Sequence, residues 1–414
     1  MPSNNRVVVT GVGVIAPNGT GKDAFWDSLV HARSGIGPIT LFDASRHPCR
    51  VAGEVKGFNL LEYLRPKVRL GRLSRQTQLA LAATKLALVD AGLDVSAQNG
   101  LRPMRVIMGV STSAIDIVEQ GMQRLVSNGP ERVPSYVVAS GQPQHTVSLI
   151  VEQFELDASG QTIASACAAG LESVAAAAEA VREGRTEVAI AGGTDAPVTP
   201  LTFACLEKTG LVAAYREAPE RASRPFDRDR ETGVVSEGAA VLIVESLGHA
   251  LARGAPIYFE ITGYGTQNDP VGSPPGTGLR RAMELALANA CRQPAEIDYI
   301  CAHGPGHPVL DRVETEMIKS VFGAEAYRIP VSSIKGVTGN ALAAGGPLQL
   351  VACACALRDQ LIPPTANLEN PDPYCDLDFV AERPRLVRIG TVLVNCHGLG
   401  GGNASMVIER PDCA

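Results

Sequence analysis

One of the ten cysteines stands in a setting that suits chemistry. Thr162-Ile163-Ala164-Ser165-Ala166-Cys167-Ala168-Ala169-Gly170 surrounds Cys167 with small side chains and runs into the helical Leu171-Glu172-Ser173-Val174. A cysteine at such a strand-to-helix turn suits a nucleophile. Small neighbours let a thioester approach, and the positive end of a helix favours thiolate over thiol. The other reading is an inert buried cysteine, which composition alone favours for any one of the ten; the local sequence raises Cys167 above the other nine.

A nucleophile needs polar partners from elsewhere in the chain. Tyr299-Ile300-Cys301-Ala302-His303-Gly304-Pro305-Gly306 places His303 where a strand enters a glycine-rich loop, a position for an acid/base group or an oxyanion donor. A hydrogen-bonded loop histidine is the alternative. Ser332 to Asn340 offers Lys335 and the Asn340 amide in a turn-rich stretch, and Val394 to Asn403 could present backbone N–H groups to an oxyanion. Two glycine patterns are decoys. Gly11-Val12-Gly13-Val14-Ile15-Ala16 fits a loose dinucleotide fingerprint, but Pro17-Asn18-Gly19 follows where the phosphate-binding helix should run. The run at 400–402 lacks the Lys-Ser/Thr pair of a P-loop.

The elements that must hold these residues alternate. Val7 to Val14, Arg105 to Gly109, Val188 to Gly193 and Ala239 to Glu245 read as strands, with helices at Gln76 to Ala91 and Leu171 to Glu183. After Pro256 the rhythm restarts: strands at Ile257 to Gly263, Tyr299 to His303 and Val392 to Asn395, helices at Gly278 to Arg292, Val313 to Phe322 and Leu348 to Leu357. This predicts an α/β protein with helices on both sides of buried sheets. No period of 20–50 residues is visible, which argues against a solenoid. At 414 residues, two core units are expected, and nothing between 240 and 260 reads as a flexible linker. The 45% apolar and 19% charged composition is that of a soluble globular chain. A net charge of −6 disfavours a broad nucleic-acid footprint. The cluster Arg65, Lys67, Arg69, Arg72 and Arg75 reads either as a dock for an acidic protein or as a solvated surface. The cysteines lack metal-ligand spacing, since Cys353 and Cys355 have no second pair, and they argue for reduced thiols in the cytoplasm. No signal peptide and no membrane span are expected.

Taken together these segments resemble the elongating β-ketoacyl-acyl-carrier-protein synthases of fatty-acid and polyketide pathways. Val8-Val9-Thr10-Gly11-Val12-Gly13, Phe42-Asp43-Ala44-Ser45, Ala191-Gly192-Gly193-Thr194-Asp195, Ser223-Arg224-Pro225-Phe226-Asp227 and Ser236-Glu237-Gly238-Ala239 carry the likeness through their order and spacing. The resemblance implies a thiolase fold of two related halves in five αβαβα layers, 1–250 with the cysteine and 251–414 with histidine, lysine and asparagine. It implies Cys167 as nucleophile, His303 as catalytic histidine, Lys335 as active-site lysine and Glu314 as its acidic partner. Backbone N–H groups of Cys167 and Leu399 would form the oxyanion hole. The implied reaction loads an acyl chain from the phosphopantetheine of an acyl carrier protein onto the cysteine. A malonyl thioester then loses CO2 and its carbanion attacks the acyl-enzyme. No other cofactor and no metal are implied. The partners are the carrier protein and a second subunit, in a homodimer or a heterodimer with a homologous chain.

The chain departs from the pattern at three places. Asn340 stands where a second histidine is expected; an amide donates a hydrogen bond but shuttles no proton. Pro305 and His307 replace the two threonines that contact the pantetheine arm. His397 and Leu399 replace an aromatic pair at a gate, where His397 either packs or returns an imidazole to the pocket. Decarboxylative condensation is the leading expectation. A non-condensing acyltransferase and a chain-length partner subunit are the alternatives.

Overall fold

The structure is a computed structural model that describes residues 6–93, 103–212, 218–398 and 400–411. Its principal elements in the first half are Val7–Ala16 (β1), Arg75–Asp90 (α1), Met104–Gly109 (β2), His145–Gln153 (α2), Ala158–Ile163 (β3), Ala169–Arg182 (α3), Val188–Asp195 (β4) and Gly238–Ser246 (β5). In the second half they are Phe259–Asn268 (β6), Thr277–Ala290 (α4), Tyr299–Cys301 (β7), Pro308–Phe322 (α5), Val331–Ser332 (β8), Gly345–Asp359 (α6), Thr391–His397 (β9) and Gly402–Glu409 (β10).

The strand order is β3-β2-β4-β5-β1 in the first half and β8-β7-β9-β10-β6 in the second. The pairing sense repeats as well. The first three strands of each series are parallel, and the fourth and fifth join antiparallel. A duplication absent from the residue pattern is thus present in the topology. The two series fuse where Val8 and Val9 of β1 pair with Glu260 and Phe259 of β6.

Side-chain alternation builds the layers. On β5, Ala239, Val241 and Ile243 join the core under α1 and α2, while Ala240, Leu242 and Val244 face α3 and α6. On the second series, Ile300 and Leu393 pack with α4 and α5, while Cys301 and Val394 turn to the same central helices. The result is five layers, αβαβα, with α3 and α6 sandwiched between the sheets. Gly345 to Leu357 of α6 are accordingly all buried. Sandwiching explains the alanine and glycine content. A Cβ on Gly170 of α3 would lie 1.9 Å from the Ala343 carbonyl oxygen, so α3 meets the turn entering α6 backbone to backbone.

The glycines of the dinucleotide-like pattern have the same purpose. β1 stays a strand through Ala16, and a Cβ on Gly13 would lie 1.9 Å from the Ala83 oxygen of α1. Strand β3 was not legible because Ala158–Ile163 is a polar, half-exposed edge. The basic cluster divides. Arg75 forms a 2.7 Å ion pair with the buried Glu237, and Lys67 pairs with Glu155. Cys353 and Cys355 are buried in α6. Among the described residues, no group of three or more His, Cys, Asp or Glu is placed to hold a metal ion, and no helix is long and apolar enough to cross a membrane.

Candidate active site

Cys167 sits in the single turn Ala166–Ala168 that links β3 to α3, only 3% exposed. Ala166 enters that turn at φ 55°, the left-handed region, which costs a non-glycine residue about 1–2 kcal/mol. The surroundings hold it there. A Cβ on Gly398 would reach the Ala166 Cβ at 3.4 Å, and the Ala343 carbonyl closes the far side against Gly170. The turn leads directly into the first turn of α3, and the N-terminal end of a helix favours negative charge.

His303 lies two residues beyond β7, so the strand is shorter than expected and the histidine belongs to the loop. Its backbone is clamped from both sides. Glu314 of α5 accepts the N–H groups of His303 and Gly304, each at 2.8 Å. Lys335 Nζ donates to the His303 carbonyl at 2.6 Å and to Gln349 Oε1 at 3.3 Å. Gln349 in turn donates to the Ala302 carbonyl at 2.9 Å. The association of Lys335 with Glu314 therefore runs through the His303 peptide. Burial, then positive Lys335 and neighbouring His397, hold the His303 imidazole well below its ordinary range, so the ring is neutral at pH 7. Burial likewise raises the Glu314 carboxyl, against the pull of its two N–H donors and Lys335.

Asn340 is fixed by its backbone, donating to the Val234 carbonyl at 2.7 Å and accepting from Ser236 at 2.9 Å. Its Oδ1 is buried without a hydrogen-bond partner, as is His303 Nδ1. His397 ends β9, its ring centre 6.3 Å from that of His303. The expected N–H-donating loop is mostly a hairpin between β9 and β10. Its Gly398 N–H is spent on the Gly402 carbonyl at 2.7 Å and Gly401 N–H on Gly398 at 3.0 Å. Leu399 lies outside the described residues.

Cys167, His303, Asn340 and His397 line one cleft of about 480 Å³, counting its open mouth. Apolar Leu206, Val234 and Leu342 share its wall, and Pro305 and His307 stand on the same loop as His303. Lys335 and Glu314 are not in the wall; they act on His303 from behind. All four wall residues follow the carboxyl ends of strands or the turns beyond them, where α/β sheets leave room for a ligand. Sequence reasoning missed the roles of Gln349 and Asn403, and the capping role of His307. Gln349 is a lone amide in an otherwise apolar helix, its one visible signal. Asn403 holds His397 through a 2.5 Å contact of Oδ1 with Nδ1. His307 caps α5, Nδ1 accepting from Val309 and Leu310 at 3.2 and 3.4 Å, which the following Pro308 at the first helical position could have indicated.

A cysteine at a strained turn, a neutral histidine and an amide in one apolar-walled cleft suit a thiolase-fold acyl-transferring enzyme. Comparison with known proteins narrows this. The β-ketoacyl synthase N-terminal domain matches residues 4–250 and the C-terminal domain residues 258–369. A putative polyketide β-ketoacyl synthase 1 of Streptomyces cyaneus is 38% identical over 98% of both chains. The 3-oxoacyl-acyl-carrier-protein synthase 2 of a Synechocystis species is 37% identical, again over 98% of each. Among solved structures, the ishigamide ketosynthase/chain length factor superimposes with a TM-score of 0.91 at 32% identity, over 98% of this chain and 99% of that one. This chain belongs to the β-ketoacyl synthase family of the thiolase superfamily, the condensing acyltransferases of polyketide and fatty-acid biosynthesis.

Proposed function

We propose that Cys167 accepts an acyl chain from carrier-protein phosphopantetheine and that the cleft then condenses it with a malonyl thioester. The observation that supports this most is the meeting of Cys167, His303 and Asn340 on one cleft from two halves of the chain. In the first half-reaction a C–S bond forms between Cys167 Sγ and the acyl carbon, and the pantetheine thiol leaves. In the second, the malonyl thioester loses CO2 and its enolate oxygen needs donors. Neutral His303 and the Asn340 amide supply them, in a site whose low polarity strengthens both bonds. The enolate carbon then attacks the acyl-enzyme, releasing Cys167 and a β-ketoacyl carrier protein.

The carrier protein is the natural partner, consistent with the name of the Synechocystis relative. A second ketosynthase-like subunit, identical or homologous, fits the ketosynthase/chain length factor structure. A cytoplasmic setting is consistent with nine described cysteines, all free thiols.

Intact-protein mass spectrometry with acyl carrier proteins, followed by malonyl carrier protein, tests this. Acylation at Cys167, CO2 release and a β-keto product are expected, and Cys167→Ala should lose all three. Stable acylation without CO2 release identifies a non-condensing acyltransferase, as Asn340 would favour. No acyl mass on Cys167, alone or with a homologous subunit, identifies a chain-length partner.

A further inference from the structure

The cleft holds a second imidazole whose orientation and tautomer are set by its hydrogen bond. Asn403 is buried, and its Nδ2 faces three acceptors: the Gly401 carbonyl at 2.7 Å, the Gln267 carbonyl at 3.1 Å and Asp269 Oδ1 at 3.2 Å. Reversing the amide would set an oxygen against three oxygens, so Oδ1 must be the atom 2.5 Å from His397 Nδ1. An amide oxygen only accepts. Nδ1 of His397 therefore carries the proton, and in the neutral ring Nε2 keeps a lone pair. No hydrogen bond to Nε2 occurs among the described residues, and the ring lines the same cleft as Cys167. The next residue, Gly398, packs on Ser165 and Ala166, directly beside the nucleophile.

His303 has no such anchor on its ring, because its Nδ1 is buried without a partner. Lys335 behind it further disfavours an imidazolium there. The two imidazoles thus differ: one is kept neutral, the other is oriented with a free lone pair.

We propose that Cys167, His397 and Asn403 form a nucleophile–base–orienter set, with His397 the proton acceptor for acyl loading and Asn403 its positioning residue. This rests on the reading of Cys167 as the acyl acceptor and assigns the proton of that step. The Cys167 S–H proton passes to His397 Nε2 as Sγ bonds to the acyl carbon. The pantetheine sulfur leaves as its C–S bond breaks and takes that proton back from Nε2, so the ring ends neutral. His303 and Asn340 are left as oxyanion donors, which neither residue must leave to move a proton. The site thereby compensates for the amide at position 340.

The titratable groups around the His397 ring are Cys167, His303 and His307 on the cleft, Asp269 behind Asn403, Cys396 beside it and Lys335 behind His303. The test follows Cys167 alkylation by iodoacetamide against pH, read on its peptide, together with loading from an octanoyl N-acetylcysteamine thioester. The wild-type alkylation rate should rise through the imidazole range near neutrality. In His397→Gln the rise should move toward about pH 8.5, the range of an unassisted thiol. Octanoyl loading at pH 7 should fall about 100-fold. Asn403→Leu, which cannot accept from Nδ1, should move the alkylation profile part of the way toward that of His397→Gln and lower octanoyl loading at pH 7. A His397→Gln protein that loads at the wild-type rate with an unchanged alkylation profile overturns the proposal, and so does an Asn403→Leu protein that matches wild type in both. Because alkylation needs no carrier protein, a His397-dependent profile without any octanoyl loading would sink the acyl-acceptor reading and leave the triad standing.

Discussion

Each half of the molecule makes the same turn in the same place. Ala166–Ala168 leads from β3 into α3, and Leu342–Ala344 leads from the segment after β8 into α6. Both begin on a residue of positive φ, Ala166 at 55° and Leu342 at 49°. The second residue is Cys167 in one and Ala343 in the other. Cys167 opens on the cleft, whereas the Ala343 carbonyl is pressed against Gly170 and its N–H donates to Asp195 at 2.9 Å. The turn is thus a consequence of the duplicated fold, and the two copies differ in which one carries sulfur and faces the cleft. The loops after the second strands differ in the same spirit. In the first half the N–H groups of Ser111 and Thr112 are held by Asp195, the last residue of β4. In the second, Glu314 takes over that holding, and the end of β9 presents His397 to the cleft.

The comparison is broken most violently at the contact between the two turns. Gly170→Ala puts a methyl into the Ala343 carbonyl, and overpacking of this kind should cost about 1–3 kcal/mol or more. Urea unfolding of the full chain reads it; a loss below about 0.5 kcal/mol would mean that the middle layer is not close-packed.

The second-half histidine gives a smaller effect with a definite sign. The folded imidazole of His303 is held below its ordinary value of 6.5, so the unfolded chain binds the extra proton as pH falls through 6.5. Its contribution to stability is present above that pH and lost below it. Replacing it by His303→Gln should therefore shrink the difference in unfolding free energy between about pH 7.5 and 5.5. An undiminished difference would show that His303 is not the buried neutral group.

The smallest effect expected is none. Ala343→Cys in a Cys167→Ala background recreates the turn with sulfur in the closed copy. It should take up no acyl mass from an acyl carrier protein, because Ala343 is fully buried against α3. Acylation there would mean that turn geometry suffices without an open face.

Much of the fold was legible because buried parallel strands are written as apolar runs between glycines, as in Val188 to Gly193. Ala158–Ile163 escaped because an edge strand needs neither core face nor alternation. Gly402–Glu409 was hidden for a different reason: its start looks like an anion-binding glycine loop, yet Gly398 and Gly401 spend their N–H groups on a hairpin. At the site, Cys167 and His303 could be singled out from their neighbours, and the fold brings both to one cleft. Asn403 and Gln349 did not, since a polar residue in an apolar run acquires meaning only from what it faces.

The sequence by itself determined the layered α/β class, the nucleophile candidate and the residue types available to serve it, since these follow from local periodicity and composition. Tertiary structure alone decided that residues 167, 303, 340 and 397 share one wall, that Lys335 and Glu314 grip a backbone and not each other, and that one imidazole is neutral while another is oriented. Those facts depend on burial and on hydrogen bonds between residues far apart in the chain, and such contacts leave no mark on either segment read alone.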